Sequence, residues 1–483
     1  MHGVARRAFR PLAHRSSSGR VAGRCIAQAL ACGNAERFAS RRRAPRVRRA
    51  GAGPASRTFA MTVSPVPALV CDALVVGAGP SGLLAALSMA QAGLDVILAG
   101  PPTPTPPGRT VALFEPAKEA LRALGVWDAV EAAGEAAPLR VMRIVDDTDS
   151  LFRTPPVDFR AREIGLDAFG DNVTLAALVA QLEAAAAREA GLRQIGEALD
   201  DFNFGEEEAS ARRPDGSRIR ARVIVAADGR GSQTRRAAGL TAKSEPTGQI
   251  AITCVFRHEA EHDDVSTEFH TRSGPFTLVP MTRAGEGAPR SSLVWLVKPD
   301  EAERLTALDD AAFALACEKR AHSHLGRFTL EGGRGRLPMA IVTTPQLVGT
   351  RVALMGEAAH VFPPIGAQGL NLGVRDAADL GIALGEAKRR GEDVGGAAAL
   401  ARYAGLRKAD IATRTAGVDL LNRSLLTDAL PMDFLRGAGL TALGSFGPLR
   451  RFAMRMGLGP APGSRLPLPS LPTPRLPRLA RRS

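Results

Sequence analysis

The glycines of residues 77–82 have the spacing that a phosphate-binding turn requires. The segment reads Gly-Ala-Gly-Pro-Ser-Gly and stands between a short apolar strand and an apolar helix. Gly77 permits a tight turn, Gly79 lets the backbone approach a pyrophosphate, and Gly82 lets the helix pack closely on the strand. The helix N-terminus would present free N–H groups to the phosphates. The pattern predicts a dinucleotide site that includes Ser81, and a glycine loop without a ligand is the alternative.

A second segment follows an apolar strand at residues 223–227. It begins with Asp228 and Gly229 and continues as Asp-Gly-x-x-Ser-x-x-Arg. An Asp-Gly pair at the end of a strand is a common turn, whereas the longer pattern is more specific. We therefore count Asp228 and Gly229 among the candidate binding residues.

The third segment, residues 356–376, is the most distinctive of the three. It follows an apolar strand and passes through a Pro/Gly loop into a helix whose apolar positions recur every three or four residues. The N-terminus of such a helix can stabilise the anionic edge of a bound ring. The candidate binding residues here are Gly356, Glu357, Pro364, Gly366, Gln368, Gly369, Leu370 and Asn371.

His360 lies in the same segment, and two interpretations of it stay open. It is either a catalytic acid or base, or a structural histidine packed beside the loop. No carboxylate partner for it is evident in the sequence, so the structural interpretation is at least as well supported.

The ribose-binding acid of a typical dinucleotide site is missing. The second strand, residues 96–99, is followed by Gly100 and a proline loop at 101–108, where such folds place an acid. Asp95 stands at the start of that strand, too far away. We expect backbone groups of the proline loop to hold the adenosine end instead.

These segments require an α/β fold with a parallel sheet, because each follows a purely apolar strand. A long helix is predicted over residues 172–191, and residues 248–300 are rich in short strands separated by polar turns. We predict a Rossmann-like domain with an inserted antiparallel-sheet substrate domain and C-terminal helices. The predicted boundaries are 1–60 for a disordered extension, 61–247 for the first part of the dinucleotide domain, 248–345 for the sheet domain, 346–456 for the rest of the dinucleotide domain and the C-terminal helices, and 457–483 for a disordered tail.

The charge of the chain is concentrated at its ends. The net charge is +14, but residues 1–60 carry +13 and residues 451–483 carry +7, which leaves −6 for the body. An acidic body argues against a nucleic-acid partner. The five cysteines form no C-x-x-C pair or Cys/His cluster, so neither a metal site nor a disulfide framework is predicted. The uncharged stretch 73–94 contains the glycine cluster and is read as strand, turn and helix rather than as a membrane span.

Residues 1–60 are Arg-rich, contain Ser and hold a single acid. Two interpretations stay open: a transit peptide, or an overlong start with Met61 as the initiator. We favour Met61, since a clear strand follows it within about a dozen residues. A mitochondrial location is expected only if the segment is a genuine transit peptide, and otherwise a cytoplasmic one.

The three segments, in this order, resemble those of the class A flavoprotein monooxygenases, and most closely those of the bacterial ubiquinone-biosynthesis hydroxylases. The resemblance covers roughly residues 70–425 and is most specific in the third segment. It implies a Rossmann-like FAD domain with an antiparallel substrate sheet. It also implies that the Asp228 segment serves FAD and NAD(P)H, that Glu357 binds the ribityl chain where the family usually has Asp, that Arg109 reaches the FAD phosphates, and that Asn172 lies near the ribityl chain.

The resemblance further implies FAD as cofactor, NADPH or NADH as a transient reductant, O₂ as co-substrate and a prenylated phenol of ubiquinone biosynthesis as substrate. Because the cofactor carries such chemistry, the protein needs no acid–base dyad. A flavin halogenase would carry a Trp-x-Trp-x-Ile-Pro segment, and the two tryptophans here, Trp127 and Trp295, are far apart. Another aromatic hydroxylase, a prenyl-lipid reductase and a non-enzymatic flavin-binding protein stay open.

A lipid-tailed substrate implies contact with a membrane surface and with other quinone-biosynthesis proteins. Residues 434–457 mix apolar side chains with arginines and contain no acid. Such a segment can lie in the headgroup zone of anionic lipid or pack on the enzyme body, and both interpretations stay open. The substrate pocket is expected between residues 276–281 and the loop 366–369.

Overall fold

The structure is a computed structural model that describes residues 68–105, 108–148, 154–283, 287–364, 368–426, 430–460 and 462–464, without the side chains of 418–436. These residues belong to one compact unit, residues 64–483. The predicted extension 1–60, and the predicted tail beyond residue 464, lie outside the described residues.

Strands alternate with helices through the first half of the described chain. The strands are β1 Leu69–Ala78, β2 Val96–Pro102, β3 Thr110–Phe114, β4 Ala137–Pro138, β5 Val141–Asp146, β6 Val157–Arg160, β7 Gly170–Thr174, β8 Leu192–Ile195, β9 Asp200–Phe204, β10 Ala209–Arg212, β11 Arg218–Ala226, β12 Lys243–His258, β13 Val265–Thr271, β14 Gly274–Met281, β15 Arg290–Val297, β16 Phe328–Thr343, β17 Val348–Gly349, β18 Val352–Leu354 and β19 His360–Val361.

Helices lie between the strands, and helices alone make up the regular structure of the described chain from Gln368 onward. They are α1 Pro80–Gln91, α2 Glu115–Ala123, α3 Trp127–Ala132, α4 Leu175–Arg188, α5 Gln233–Ala237, α6 Pro299–Ala307, α7 Asp310–Arg320, α8 Gln368–Arg389, α9 Ala397–Leu426, α10 Leu430–Ser445 and α11 Gly447–Leu458. None of the helices in the described part of the chain combines the length and apolar character needed to cross a bilayer. The uncharged stretch 73–94 forms β1, the glycine turn and α1, as predicted.

The first sheet has the order β17-β18-β11-β1-β2-β8, and its central strands β18, β11, β1 and β2 are parallel. Ala73, Leu74 and Val75 of β1 are completely buried, as expected for a strand covered by helices on both faces. Helices α1 and α8 pack together and share the main apolar core with this sheet. The predicted α/β class with a Rossmann-like domain is confirmed.

The second sheet has the order β19-β16-β12-β15-β14-β13-β5-β6 and is antiparallel except where β13 meets β5. Its central strands come from the β-rich stretch predicted at 248–300. Two strands that the sequence did not predict, β5 and β6, extend it at one edge. Phe256 of β12 and Phe313 of α7 stack with ring centroids 6.0 Å apart, so this sheet has a core of its own.

Two local predictions are wrong. Asn172 does not open a helix: it pairs with Ala112 inside β7, and α4 begins three residues later. Thr174 is the N-cap, because its Oγ1 accepts from Ala177 N at 3.2 Å. The second strand does not end at Ala99, since β2 continues to Pro102.

Candidate functional site

The glycine turn is made by direct contact between backbones. Gly77 has φ +110°, and a Cβ built on it would lie 2.5 Å from the carbonyl oxygen of Ala227. A Cβ on Gly82 would lie 1.7 Å from the carbonyl oxygen of Gly77. Since real Cβ atoms do not approach backbone oxygens so closely, only glycine fits at these two positions.

Gly79 differs from its two neighbours, because the space beside it is open. Among the described residues, a Cβ there would meet only the Thr103 side chain, with Oγ1 nearest at 3.4 Å. Gly79 is the N-cap of α1 and supplies no capping side chain, so the first N–H groups of the helix have no cap of this kind. The turn therefore offers N–H donors beside open space, an arrangement suited to an anion such as a pyrophosphate.

The second segment is held by its own side chains. Ser232 Oγ donates to Asp228 Oδ1, and Thr234 N donates to Asp228 Oδ2 at 3.0 Å. Gly229, at φ +78°, has nothing within 4 Å of a built Cβ. Arg235 is buried and donates from Nη1 to Ala358 O at 2.6 Å. The longer pattern thus fastens the second segment to the third.

The first and third segments meet at Ser81. A Cβ on Gly356, which has φ +54°, would lie 2.5 Å from Ser81 Oγ, and a Cβ on Gly373 would lie 3.3 Å from it. The N-terminal turn of α1 therefore packs against the start of the third segment and against α8. All three segments follow the carboxyl ends of adjacent parallel strands, the edge where ligands bind in open α/β sheets.

Two predicted charged residues face each other at this edge. Arg109 Nη2 and Glu357 Oε1 are 4.0 Å apart, with side chains 39% and 49% exposed. A pair this exposed contributes little to stability. Both side chains are therefore accessible to a ligand, one cationic and one anionic.

Asn172 lies where the first half of the chain meets the second sheet. Its Nδ2 donates to Pro280 O at 2.8 Å and approaches Ser292 Oγ at 3.3 Å. Its Oδ1 is buried without a hydrogen-bond partner among the described residues. A buried polar atom of this kind is normally satisfied by water or a ligand, so this oxygen can accept from a bound group.

Asn371 has a different environment from Asn172. Phe114 N donates to its Oδ1 at 2.9 Å, and its Nδ2 donates to Ala112 O at 2.8 Å. Both ends of the amide thus hold the backbone of β3 against α8. In this structure, its side chain positions β3.

The other predicted residues of the third segment are distributed around the start of α8. In the described part of the chain, nothing lies within 4 Å of a Cβ built on Gly369. Leu370 packs against the main core, and Pro364 is exposed. Gln368 Oε1 accepts from Arg414 Nη1. Gly366, and with it the loop side of the predicted substrate pocket, lies outside the described residues.

His360 has the carboxylate partner that was not evident in the sequence. Its Nε2 is 2.7 Å from Asp376 Oδ2, and both side chains are almost fully buried. Its ring stacks on Phe362 with centroids 5.5 Å apart. This pairing was not evident in the sequence, because it forms only when sixteen residues of loop and helix bring Asp376 back to His360.

Asp376 is the centre of a buried ionic cluster. Its Oδ2 also accepts from Gly356 N at 2.9 Å, and its Oδ1 accepts from Arg407 Nε at 2.7 Å. Burial alone would raise the pKa of this carboxyl, but His360 and Arg407 hold the pKa well below its usual value. The carboxylate therefore stays ionised and fixes the start of the third segment to α9.

Two helices supply the rest of the cluster. Arg407 also contacts Asp379 at 3.1 Å and Asp410 at 3.0 Å. Burial opposes the charge on Arg407, but these carboxylates and Asp376 raise its pKa. The pKa of Asp379, in contrast, is raised by its burial.

The C-terminal helix closes the cluster. Arg414 donates to Asp410 Oδ1 at 2.8 Å and to Gly457 O at 3.1 Å, and Arg375 Nη1 donates to Leu458 O at 3.3 Å. Burial, followed by the nearby Arg414, lowers the pKa of Arg375 to about 10. The carbonyl end of α11 thus lies on two buried arginines, as the helix dipole favours.

Sequence reasoning missed this cluster, although a signal was present. The acidic and basic residues of α8 and α9 recur at spacings of three and four, which places them on one face of each helix. Charges facing each other from two helices that also carry apolar stripes indicate a buried network. The positions are 375, 376 and 379 in α8 and 407, 410 and 414 in α9.

The end of the second strand packs closely on the glycine turn. Gly100 has φ +151°, and a Cβ there would lie 2.9 Å from Ala78 N. Asp95, at the other end of β2, pairs with Arg193 at 2.9 Å. The polar group found beside the glycine turn is instead the hydroxyl of Thr103.

The sequence matches the family described as FAD binding domain over residues 70–414. It is 33% identical over 403 residues to "Ubiquinone hydroxylase UbiL" of Rhodospirillum rubrum, which covers 81% of this chain and 90% of that protein. It is 29% identical to "3-demethoxyubiquinol 3-hydroxylase" of Escherichia coli, over 80% of this chain and 97% of that one.

Solved structures share the fold at lower identity. The p-nitrophenol 4-monooxygenase PnpA of Pseudomonas putida has a TM-score of 0.67 and 18% identity, over 81% of this chain and 98% of that one. Klebsiella pneumoniae HpxO, complexed with FAD and uric acid, has a TM-score of 0.62 and 20% identity, over 81% and 96%.

Proposed function

This chain belongs to the FAD binding domain family of flavin monooxygenases, and from that premise we propose that it hydroxylates the aromatic ring of a lipid-tailed phenol in ubiquinone biosynthesis. It is an FAD-dependent monooxygenase, and NAD(P)H is the reductant typical of its family. The substrate class is inferred from the names of its relatives, a ubiquinone hydroxylase and a 3-demethoxyubiquinol 3-hydroxylase.

One observation supports the FAD site on which the proposal depends. Three segments more than a hundred residues apart meet at the carboxyl ends of β1, β11 and β18. Gly77 touches the strand end at Ala227, Arg235 is bonded to Ala358, and Gly356 packs on Ser81. A single ligand that spans this edge would contact all three segments, and FAD is long enough to do so.

The residues present fit FAD. The open space at Gly79 accepts the pyrophosphate, and the free N–H groups of α1 are its donors. We propose that Arg109 neutralises a phosphate and that Glu357 accepts from ribityl hydroxyls. The buried orphan oxygen of Asn172 would accept from the same cofactor or from the substrate.

When bound and reduced, FAD supplies the oxygen chemistry, and the protein supplies position and electrostatics. We propose that the N-terminus of α8, at Gln368 and Gly369, stabilises negative charge on the flavin ring through its backbone N–H groups. The cluster around Asp376 holds Gly356 and α8 in fixed register. The second sheet is joined to β7 through Asn172 and Pro280, and it would shield a bound ring from water.

We also propose that the enzyme meets its substrate at a membrane surface, because a polyprenyl tail keeps such a phenol in the bilayer. His360 has a structural role, since its ring nitrogen Nε2 is hydrogen-bonded to Asp376 in the buried cluster. The reaction then needs no residue of this chain as a general base.

Complementation of bacteria that lack a ubiquinone hydroxylase tests the proposal. The wild-type gene should restore ubiquinone and remove the unhydroxylated intermediate, as identified by mass. Gly79→Val is the matched control, because it should fold without holding FAD. If the purified wild-type protein binds FAD but restores no hydroxylation in any such strain, the substrate assignment is wrong.

A further inference from the structure

The junction of α10 and α11 exposes three large apolar side chains, which we call the apolar corner. Phe446 is 59% exposed, Leu449 40% and Phe452 57%. Single exposed apolar residues are common on soluble proteins, whereas a group rimmed by charge marks a contact surface. The other strongly exposed large apolar side chains among the described residues lie on three different elements, Val70 in β1, Leu315 in α7 and Ile382 in α8.

The apolar corner is held outward by the opposite face of α11. Met454 is buried, and Arg450 donates to Glu163 at 2.8 Å and to Gly444 O at 2.8 Å. At 3.6 residues per turn, positions 449 and 452 lie on the side opposite this anchored face. Arg450 is therefore a structural residue, and for this side chain packing on the enzyme body is the interpretation that the contacts favour.

The surroundings of the apolar corner favour an anionic partner. From Phe446 to Leu458 the chain carries three arginines and no acid. Arg451 flanks the corner, and the nearby Glu163 is already paired with Arg450. Glu115 and Glu119 line a cavity of about 280 Å³ together with Arg455, one turn of α11 beyond Arg451. An apolar surface flanked by arginine matches the headgroup zone of anionic lipid.

The apolar corner is also connected to the candidate site. Gly457, near the end of α11, accepts from Arg414 Nη1 at 3.1 Å and from Gln368 Nε2 at 3.4 Å. Gln368 is the first residue of α8, the helix proposed to face the flavin ring. A membrane bound at the apolar corner would therefore be linked to the start of α8 through α11 alone.

We propose that the apolar corner docks this enzyme on an anionic bilayer, with Phe446 and Phe452 inserted among the headgroups and Arg451 at the lipid phosphates. The proposal rests on the proposed function in one respect, since a lipid-tailed substrate gives the enzyme its reason to bind a bilayer. Docking there brings the start of α8 close to the lipid from which such a substrate would be drawn.

Vesicle flotation with the full chain tests the docking surface. Vesicles of equal parts phosphatidylglycerol and phosphatidylcholine should bind the wild type, and pure phosphatidylcholine should bind it more weakly. The double variant Phe446→Ser/Phe452→Ser should bind at least about tenfold more weakly at every salt concentration, because apolar insertion is not screened. Arg451→Glu should bind about fivefold more weakly than the wild type at low salt. This difference should disappear at high salt.

Matched controls are available on other surfaces. Leu315→Ser removes an equally exposed apolar side chain, and Lys408→Glu reverses an exposed charge on α9. Both should float like the wild type. Every variant should keep its full FAD content and should hydroxylate a short-tailed phenol in detergent. If the wild type floats but hydroxylates nothing, the proposed function fails while the docking surface stands.

Three results would overturn the docking proposal. Flotation unchanged in all corner variants would mean that the basic termini bind the lipid. A wild type that does not float, but loses self-association when Phe446 and Phe452 are replaced, would make the corner a contact between copies. Flotation that strengthens tenfold when residues 465–483 are deleted, and depends on the corner only then, would mean that the tail covers it.

Discussion

The glycine turn and the Asp376 cluster hold two ends of the same site by different means. In the turn, backbone atoms of residues close in sequence touch, and a Cβ on Gly82 would come within 1.7 Å of a carbonyl oxygen. In the cluster, the contacts join side chains from two helices, such as Asp376 and Arg407 at 2.7 Å. The turn requires residues without a Cβ atom, whereas the cluster requires each buried charge to lie beside an opposite charge.

This difference determines how each region should respond to change. A backbone contact cannot relax, so a single added methyl group is enough to break it. A charge cluster has several members, so losing one leaves the others partly satisfied but buried. Substitution of a tightly packed glycine in the turn should therefore cost much stability, and this cost should not depend on pH. Substitutions in the cluster should cost different amounts of stability, and these costs should change in acid.

The largest effect is expected from Gly82→Ala. The added Cβ must displace the backbone of the turn, so the variant should lose about 4 kcal/mol or more of unfolding free energy, as in the most severe single substitutions. Denaturant unfolding with circular dichroism measures this. Gly405→Ala, a helical position with nothing within 4 Å of a built Cβ, should instead gain about 0.5–1 kcal/mol. Equal stabilities for the two variants would refute the backbone-contact account.

Asp376→Asn should have the next largest effect. Removing this charge leaves Arg407 and His360 with fewer partners in a buried region, at a cost of about 3 kcal/mol. Glu386→Gln on the same helix breaks an exposed pair with Arg390 and should cost less than about 0.5 kcal/mol. Chemical denaturation of both variants provides the comparison. A loss of stability in Asp376→Asn as small as that of the control would show that the cluster does not stabilise the fold.

The unfolding free energies of the wild type and Asp376→Asn should differ in their pH dependence. The folded pKa of Asp376 is lowered, so its contribution is fully present above the unfolded pKa of about 3.9 and is lost as pH falls through the folded value. The stability gap between wild type and Asp376→Asn should therefore be constant near neutrality and shrink on acidification below about pH 4. Denaturation midpoints between neutral and acidic pH measure it, and a gap that widens in acid would contradict the assigned sign.

Gly79→Val separates binding from folding within the glycine turn. Its backbone is extended and the nearest atom to a built Cβ is Thr103 Oγ1 at 3.4 Å, so the sheet should keep its stability within about 1 kcal/mol. The side chain would occupy the proposed pyrophosphate position, and FAD affinity should fall about a hundredfold. Titration of the apoprotein by flavin fluorescence tests this. An affinity equal to that of the wild type would place the cofactor elsewhere.

Glu357→Gln should have the smallest effect. Losing a charged acceptor to a ribityl hydroxyl should weaken FAD binding about tenfold. The protein's own stability should not change, because the pair with Arg109 is exposed. Glu357→Asp keeps the charge and should retain most of the affinity in the same titration. If Gln and Asp behave alike, the carboxylate has no role in binding.

The sequence predicted the regions that depend on backbone geometry. The strand, turn and helix around Gly77 were readable because glycine spacing and apolar runs are local signals. Asn172 was misread as a helix start, since β7 owes its strand conformation to pairing with the distant Ala112. The partner of Arg407 was not readable either, because Asp376 is 31 residues away and approaches only through helix packing. The choice between lipid contact and protein packing for residues 434–457 stayed open in the sequence, since Glu163, the partner of Arg450, is 287 residues away.

Oxygen incorporation tests whether this enzyme hydroxylates an aromatic ring. The purified enzyme should be supplied with NADPH, ¹⁸O₂ and a short-tailed prenylated phenol, and the product should be analysed by mass spectrometry. One ¹⁸O atom should appear in the ring hydroxyl of the product. NADPH oxidation should be stimulated by the phenol and absent in Gly79→Val. A product without ¹⁸O, or NADPH oxidation that yields no hydroxylated ring in the presence of bound FAD, would contradict the assignment as an aromatic hydroxylase.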